Sequence, residues 1–164
     1  MRAVPEAMER VHLRTARGIP PNDSPGRRLA QRMISAHRTV REDDSAARAG
    51  AAACSHLYHT LARWLGPDGC HALFTRALTQ ARADHPALEQ VYLRARSEPY
   101  LDGVAESIAA HGDASTADAL ESALTRVVEL LGRLIGDEMT ARLIDQESTA
   151  SHRRDAHPGT RLEE

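Results

Sequence analysis

Leu61-Ala-Arg63-Trp64-Leu65-Gly66-Pro67-Asp68-Gly-Cys70-His71-Ala-Leu73 decides how this chain reads, because its pattern returns seventy positions later. There it stands as Leu131-Gly-Arg133-Leu134-Ile135-Gly136-Asp137-Glu138-Met139-Thr-Ala-Arg-Leu143. In each copy an apolar helical stretch runs into a glycine. An acidic residue follows two places on, and a second apolar stretch begins. Glycine suits a left-handed position past a helix end, and proline cannot continue the helix before it. Acids just after the break favour the start of a second helix, and Arg63 and Arg133 favour the end of the first. The pattern reads either as two duplicated helix–turn–helix hairpins or as two amphipathic helices that are each broken by a glycine.

Outward from the repeat the chain punctuates itself. Residues 45–65 form a predicted helix whose apolar face is Ala46, Ala49, Ala53, Leu57, Leu61, Trp64 and Leu65, and Asp43-Asp44-Ser45 supplies its capping chemistry. A helix over 69–84, capped by Asp68, carries Cys70, Leu73, Phe74, Ala77, Leu78 and Ala81 inward. Residues 86–98 read as one helical turn or as a strand. Val91-Tyr92-Leu93 has the strongest strand propensity in the chain but no obvious partner. Pro99 opens a predicted helix over 99–111. Asp113 or Ser115 caps the longest helix, 115–135, with Leu120, Leu124, Val127, Leu131, Leu134 and Ile135 inward. A helix over 137–147 carries Met139, Leu143 and Ile144.

At the N-terminus, residues 4–17 read as a short helix, and Gly18–Gly26 as a linker rich in Pro and Gly. The spacing of Leu29, Met33, Ala36 and Val40 predicts a helix over 27–41, whose apolar seam would suit a partner or a second copy. Residues 148–164 lack apolar periodicity and read as a disordered tail. The expected fold is all-α: a helical bundle of about five or six helices over 27–147, with an N-terminal helical arm and linker over 1–26.

Composition agrees. The 164 residues are 41% hydrophobic and only 3% aromatic, so Leu, Ala, Val and Ile must build the core, and these favour helices when few are β-branched. All 21 basic residues are arginine. That points to a GC-rich bacterial coding sequence, and it excludes a Walker lysine and a Schiff-base lysine. Charge is uneven: residues 1–41 hold nine Arg against three acids, and the remainder twelve against twenty. The basic segment faces either an anionic partner or the acidic body of its own chain. Arg27, Arg28, Arg32, Arg38 and Arg41 are the candidate partner-binding residues. Two cysteines make no disulfide framework. No segment approaches the length of a membrane span, and no apolar signal region opens the chain. A cytoplasmic protein without membrane contact is expected.

The densest group of reactive side chains is Cys54, His56, His59, Cys70 and His71. Thiolate and imidazole are good transition-metal ligands, and His56, His59 and His71 are the candidate metal ligands. Helical spacing turns Cys54 toward the core and His56 and His59 away from it. His59-Thr60-Leu61 resembles the start of the phosphoaccepting motif of histidine phosphotransfer domains. That motif continues with Lys, then Gly and small residues, whereas Ala62, Arg63 and Trp64 follow here. The carboxylate pairs Asp43/Asp44 and Asp137/Glu138 sit where helix dipoles explain them, and no serine elbow or glycine-rich phosphate loop occurs.

The stretch from Leu57 to about Leu93 is similar to a group of uncharacterised bacterial small all-helical proteins. The residues that carry the likeness are Leu-Ala-Arg-Trp-Leu-Gly at 61–66, Ala-Leu-Phe-Thr-Arg-Ala-Leu at 72–78 and Ala-Asp-His-Pro-Ala-Leu at 83–88. Leu-Leu-Gly-Arg-Leu-Ile-Gly at 130–136 joins them. The resemblance implies an all-helical regulatory or accessory protein. The expected function is therefore a non-enzymatic protein–protein interaction or regulatory module that self-associates as a homodimer, with no cofactor. A metal- or ligand-binding role through the histidines is the alternative. A nucleic-acid accessory role through the Arg-rich segment comes third, since no compact polar recognition helix accompanies it.

Overall fold

Helix α4 (Asp113–Ile135) is the hub on which every other helix packs. The structure, a computed structural model, describes residues 24–38, 45–94 and 98–155. Its chain order is α1 (Pro25–Ala36), α2 (Ala46–Arg82), a 3-10 turn at Pro86–Leu88, and β1 (Tyr92–Leu93). Then follow β2 (Leu101–Asp102), α3 (Val104–His111), α4 and α5 (Asp137–Asp155). Among the described residues the fold is an all-α bundle of five helices with one small two-stranded sheet. The predicted arm at 4–17, the linker before Ser24, Asp43, Asp44 and Val40 lie outside the described residues.

Helix α2 is two limbs, 46–65 and 67–82, broken at Gly66. Gly66 has φ 74° and ψ 160°, and Gly136, between α4 and α5, has φ 88° and ψ 148°. Positive φ was expected at both. The extended ψ was not: these are a conformation that is essentially glycine's alone, rather than the left-handed helical one. Gly112, between α3 and α4, makes the same joint at φ 84° and ψ 159°. Two of the three joints carry a matching hydroxyl four residues on. Thr116 and Thr140 are buried and donate Oγ1–H to the carbonyls of Gly112 and Gly136, each at 2.9 Å. Cys70, also buried, holds the corresponding place after Gly66.

The repeat has a geometric meaning. Ser45 caps α2, with its Oγ accepting from Arg48 N at 3.1 Å. The same hydroxyl donates to the Asp113 carboxylate, which also accepts from the backbone N–H groups of Ala46 (2.9 Å) and Ala47 (3.2 Å). The first residue of α4 thus caps the start of α2. Higher up, a Cβ on Gly50 would lie 3.2 Å from Leu120 Cβ. Residues seventy apart therefore face one another, and the first limb of α2 runs parallel to α4. Two parallel helices that meet through equivalent positions are related by an approximate two-fold axis along their length. The Ser45 hydrogen bond is the main reason that the Asp113 carboxyl is held below its usual pKa; the Ala47 and Ala46 amides and Arg48 add to it, and burial opposes them.

Buried Leu57, Leu61, Leu120, Leu124, Val127 and Leu131 fill the α2–α4 seam. Three of the few aromatics gather beside it: Tyr58 stacks on Tyr100 at 4.4 Å and meets the edge of Phe74 at 5.1 Å. Val91-Tyr92-Leu93 does have a partner. Tyr92 pairs with Asp102 and Leu93 with Leu101, antiparallel. The helix expected from Pro99 begins only at Val104, because Leu101 and Asp102 are taken by this pairing and Gly103 (φ 80°) turns the chain between them. A Cβ on Gly103 would fall 1.7 Å from the Gln90 carbonyl oxygen.

Helix α1 starts at Pro25, earlier than expected, because Ser24 caps it with Oγ accepting from Arg27 N at 3.1 Å. Its seam is spent within the chain: Leu29, Ala30 and Met33 are buried against the body. Of the seam expected for a partner, Leu29 and Met33 are thus used within the chain, while Ala36 is exposed and Val40 lies outside the described residues. Helix α5 continues to Asp155, past the start of the expected tail at 148. No helix among the described residues is long and apolar enough to cross a membrane.

Candidate functional site

The expected core face is wrong at one end of the bundle. Trp64 (66% exposed), Leu134 (67%) and Met139 (55%) lie in solvent, with Leu65 and Ile135 also exposed. Trp64 follows Leu57 by seven positions and Leu134 follows Val127 by seven, so both continue the inward stripes by helical phase. Both lie two residues before a joint, Gly66 or Gly136, where the helical limb ends.

A groove lies between α1, α4 and α5. Its volume is about 1010 Å³. Leu29 and Val128 line it from α1 and α4 and Ala141 from α5, while Arg28, Arg32 and Arg133 bring three guanidinium groups to it. Glu129 and Asp137 are its carboxylates, and Ser24 Oγ donates to Glu129 Oε1 at 3.3 Å. Gly26 allows the close approach of α1 to α4 here, since a Cβ on it would meet Glu129 Cγ at 3.0 Å.

The five arginines singled out from the sequence separate. Arg28 and Arg32 line the groove; Arg32 also reaches Asp145 at 3.4 Å across exposed surface. Arg27 is engaged within the chain, with its Nε on Glu121 Oε1 at 2.7 Å, where Gln31 Nε2 also donates at 3.0 Å. Arg38 is exposed at the end of α1, and Arg41 lies outside the described residues. Over 24–38, then, part of the basic segment does rest on acids of its own chain. Sequence reasoning missed Arg133 as a groove residue. Its place before a helix-ending glycine explained it locally, and nothing local signals that α1 packs across the same turn of α4.

The candidate metal ligands do not converge. His56 is half-buried, with its ring 5.2 Å from that of His37, whose Nδ1 lies 2.8 Å from the Met33 carbonyl oxygen. His59 is exposed, and His71 is half-buried on the second limb of α2 with Nδ1 enclosed. Among the described residues no three His, Cys, Asp or Glu side chains gather as a metal site would require. Cys54 and Cys70 are free and buried, and burial pushes both thiols up to about 12. Cys70 Sγ–H donates to the Tyr58 carbonyl at 3.4 Å. Buried thiols held protonated in this way are poor nucleophiles.

Comparison with known proteins adds no relative: no family, no curated protein and no solved structure matches the chain.

Proposed function

We propose that this protein is a non-enzymatic interaction module of the cytoplasm, and that it holds an acidic, amphipathic protein segment in the groove between α1, α4 and α5. The observation that carries the reading is the convergence of Arg28, Arg32 and Arg133 around an apolar floor that includes Leu29, Val128 and Ala141. An amphipathic helix laid in such a groove buries its apolar face, while its carboxylates meet the guanidinium rim. Arginine suits that rim because its planar fork takes a carboxylate in two parallel hydrogen bonds. The same three arginines would repel a basic segment and so set specificity, while Glu129 and Asp137 limit where carboxylates of the bound segment can lie. We also propose that the module works as a homodimer.

The test uses two fluorescein-labelled helical peptides of alternating turn pattern, one Glu/Leu and one Lys/Leu. The full-length protein should bind the Glu/Leu peptide saturably by fluorescence anisotropy. The double variant Arg28→Glu/Arg32→Glu should weaken this at least ~10-fold, and more steeply at low salt. Arg76→Glu, exposed on the second limb of α2, should leave it unchanged. Equal binding of the Lys/Leu peptide, or an undiminished affinity in the double variant, would overturn the reading.

A further inference from the structure

We infer that His37 and His56 form an open metal site, a pair of imidazoles that takes one divalent zinc ion between the end of α1 and the first limb of α2. His59 and His71, the other histidines singled out from the sequence, do not belong to it. The site is independent of the groove and of what the groove holds.

Spacing is the first ground. Zinc binds an imidazole nitrogen at about 2.0–2.1 Å, which puts each ring centre about 3.2 Å from the ion, so at a tetrahedral angle of about 109° two rings stand about 5.2 Å apart. The ring centroids of His37 and His56 are 5.2 Å apart, with their planes tilted by 55°. Neighbouring positions of a square or octahedral ion would bring two rings to about 4.5 Å. The second ground is the tautomer. The Met33 carbonyl can only accept, so the His37 Nδ1 that lies 2.8 Å from its oxygen carries the proton. The lone pair of the neutral ring is then on Nε2. A ligating histidine typically gives its other N–H to a carboxylate or a backbone carbonyl in this way, which fixes the ring and raises the basicity of the nitrogen that meets the metal.

Two separate helices supply the ligands, since His37 is the C-cap of α1 and His56 lies within α2. Both side chains are half-buried, so their rings are held by packing and still reached from solvent. Two imidazoles are fewer than the protein ligands of a catalytic or structural zinc site, and no third His, Cys, Asp or Glu joins them among the described residues. The ion therefore keeps water in its remaining positions and is held reversibly. Its effect is to tie α1 down. The start of α1 is already fixed to α4, where Ser24 Oγ donates to Glu129. A metal at His37 would add a tie at the opposite end, to α2, and so hold in place the helix that carries Arg28 and Arg32.

The experiment is a titration of the full-length protein with zinc chloride, followed by calorimetry and by the assigned imidazole nitrogen resonances. One zinc per chain should bind with a micromolar Kd. Of the nine histidines, only His37 and His56 should shift in step with it. The thermal midpoint should rise with zinc concentration, because only the folded chain holds the two rings together. His37→Ala and His56→Ala should each raise the Kd at least ~10-fold, whereas His59→Ala, at an exposed position, should leave it unchanged. No saturable binding below about 1 mM zinc would overturn the site. Undiminished binding in the His37→Ala/His56→Ala double variant would overturn it too, by placing the zinc on other histidines. So would zinc-dependent shifts in the parent protein at histidines other than this pair, a result that requires neither variant to fold.

Discussion

The two hairpins share a joint and differ in what their second limbs bury. After Gly66 the chain places Cys70, Leu73, Phe74, Ala77, Leu78 and Ala81 in the core. After Gly136 the corresponding positions are Thr140, Leu143, Ile144, Glu147, Ser148 and Ser151, and only Thr140 and Ile144 are buried among 137–146. The apolar stripe of α5 simply stops where that of α2 continues. The first hairpin is therefore closed by its own side chains. The second is closed in part by α1 lying across α4, and the space that remains is the groove with Arg28, Arg32 and Arg133. A binding surface arises here from the same architecture by withholding the side chains that would fill it.

That contrast should appear first in core truncations. Phe74→Ala removes a side chain that is 2% exposed and edge-on to Tyr58, and should cost about 3–5 kcal/mol. Ile144→Ala, at the matching position of the open hairpin, should cost about 2 kcal/mol, the low end for such changes. Urea unfolding of both variants measures the pair; equal losses would mean that α5 is packed as tightly as the second limb of α2.

The joints should behave alike where the limbs do not. Gly66→Ala and Gly136→Ala each force a Cβ into a conformation that disfavours it, and neither Cβ meets another atom within 4 Å. Each should cost roughly 1–3 kcal/mol from backbone strain alone, and the two losses should agree closely. A large inequality between them would break the equivalence of the hairpins.

The smallest effect concerns the shared start of the parallel pair. Because the folded state holds the Asp113 carboxyl below its ordinary pKa, its contribution is fully present above about pH 4, the unfolded value. It is lost as pH falls through the lowered value. Asp113→Asn should therefore be slightly less stable than the parent at pH 7, and the difference should shrink below pH 4. Thermal melts from pH 7 to 2.5 measure this; a difference that grows in acid would contradict the capping role.

Much of this was legible in the sequence. Gly66 and Gly136 announced helix ends, and the apolar periodicity around Leu57, Leu61, Leu124 and Leu131 announced the packed faces. What stayed hidden was non-local. Helical phase places Trp64 and Leu134 on the inward stripe but does not say which positions of the stripe the fold covers. Leu101 suited a helix until its pairing with Leu93 removed it. Asp113 looked like a cap for its own helix, whereas its oxygens hold the start of another, 67 positions away in the case of Ala46. The histidines formed a group along the chain that the fold does not gather. The groove needed the crossing of α1 over α4, which no local pattern encodes.

The parallel register of the two hairpins underlies the approximate symmetry of the apolar end and the placement of the groove, and one distance tests it. Nitroxide labels are placed on Arg48→Cys and Ser115→Cys, both exposed positions near the starts of α2 and α4, with Cys54 and Cys70 replaced by alanine. Pulsed dipolar spectroscopy should then give a short distance, set by one interhelical spacing of about 8–10 Å plus the label arms. Labels on Arg48→Cys and Arg133→Cys should lie on the order of 30 Å apart along the bundle. The reverse, a long first distance and a short second one, would show antiparallel limbs and contradict the account.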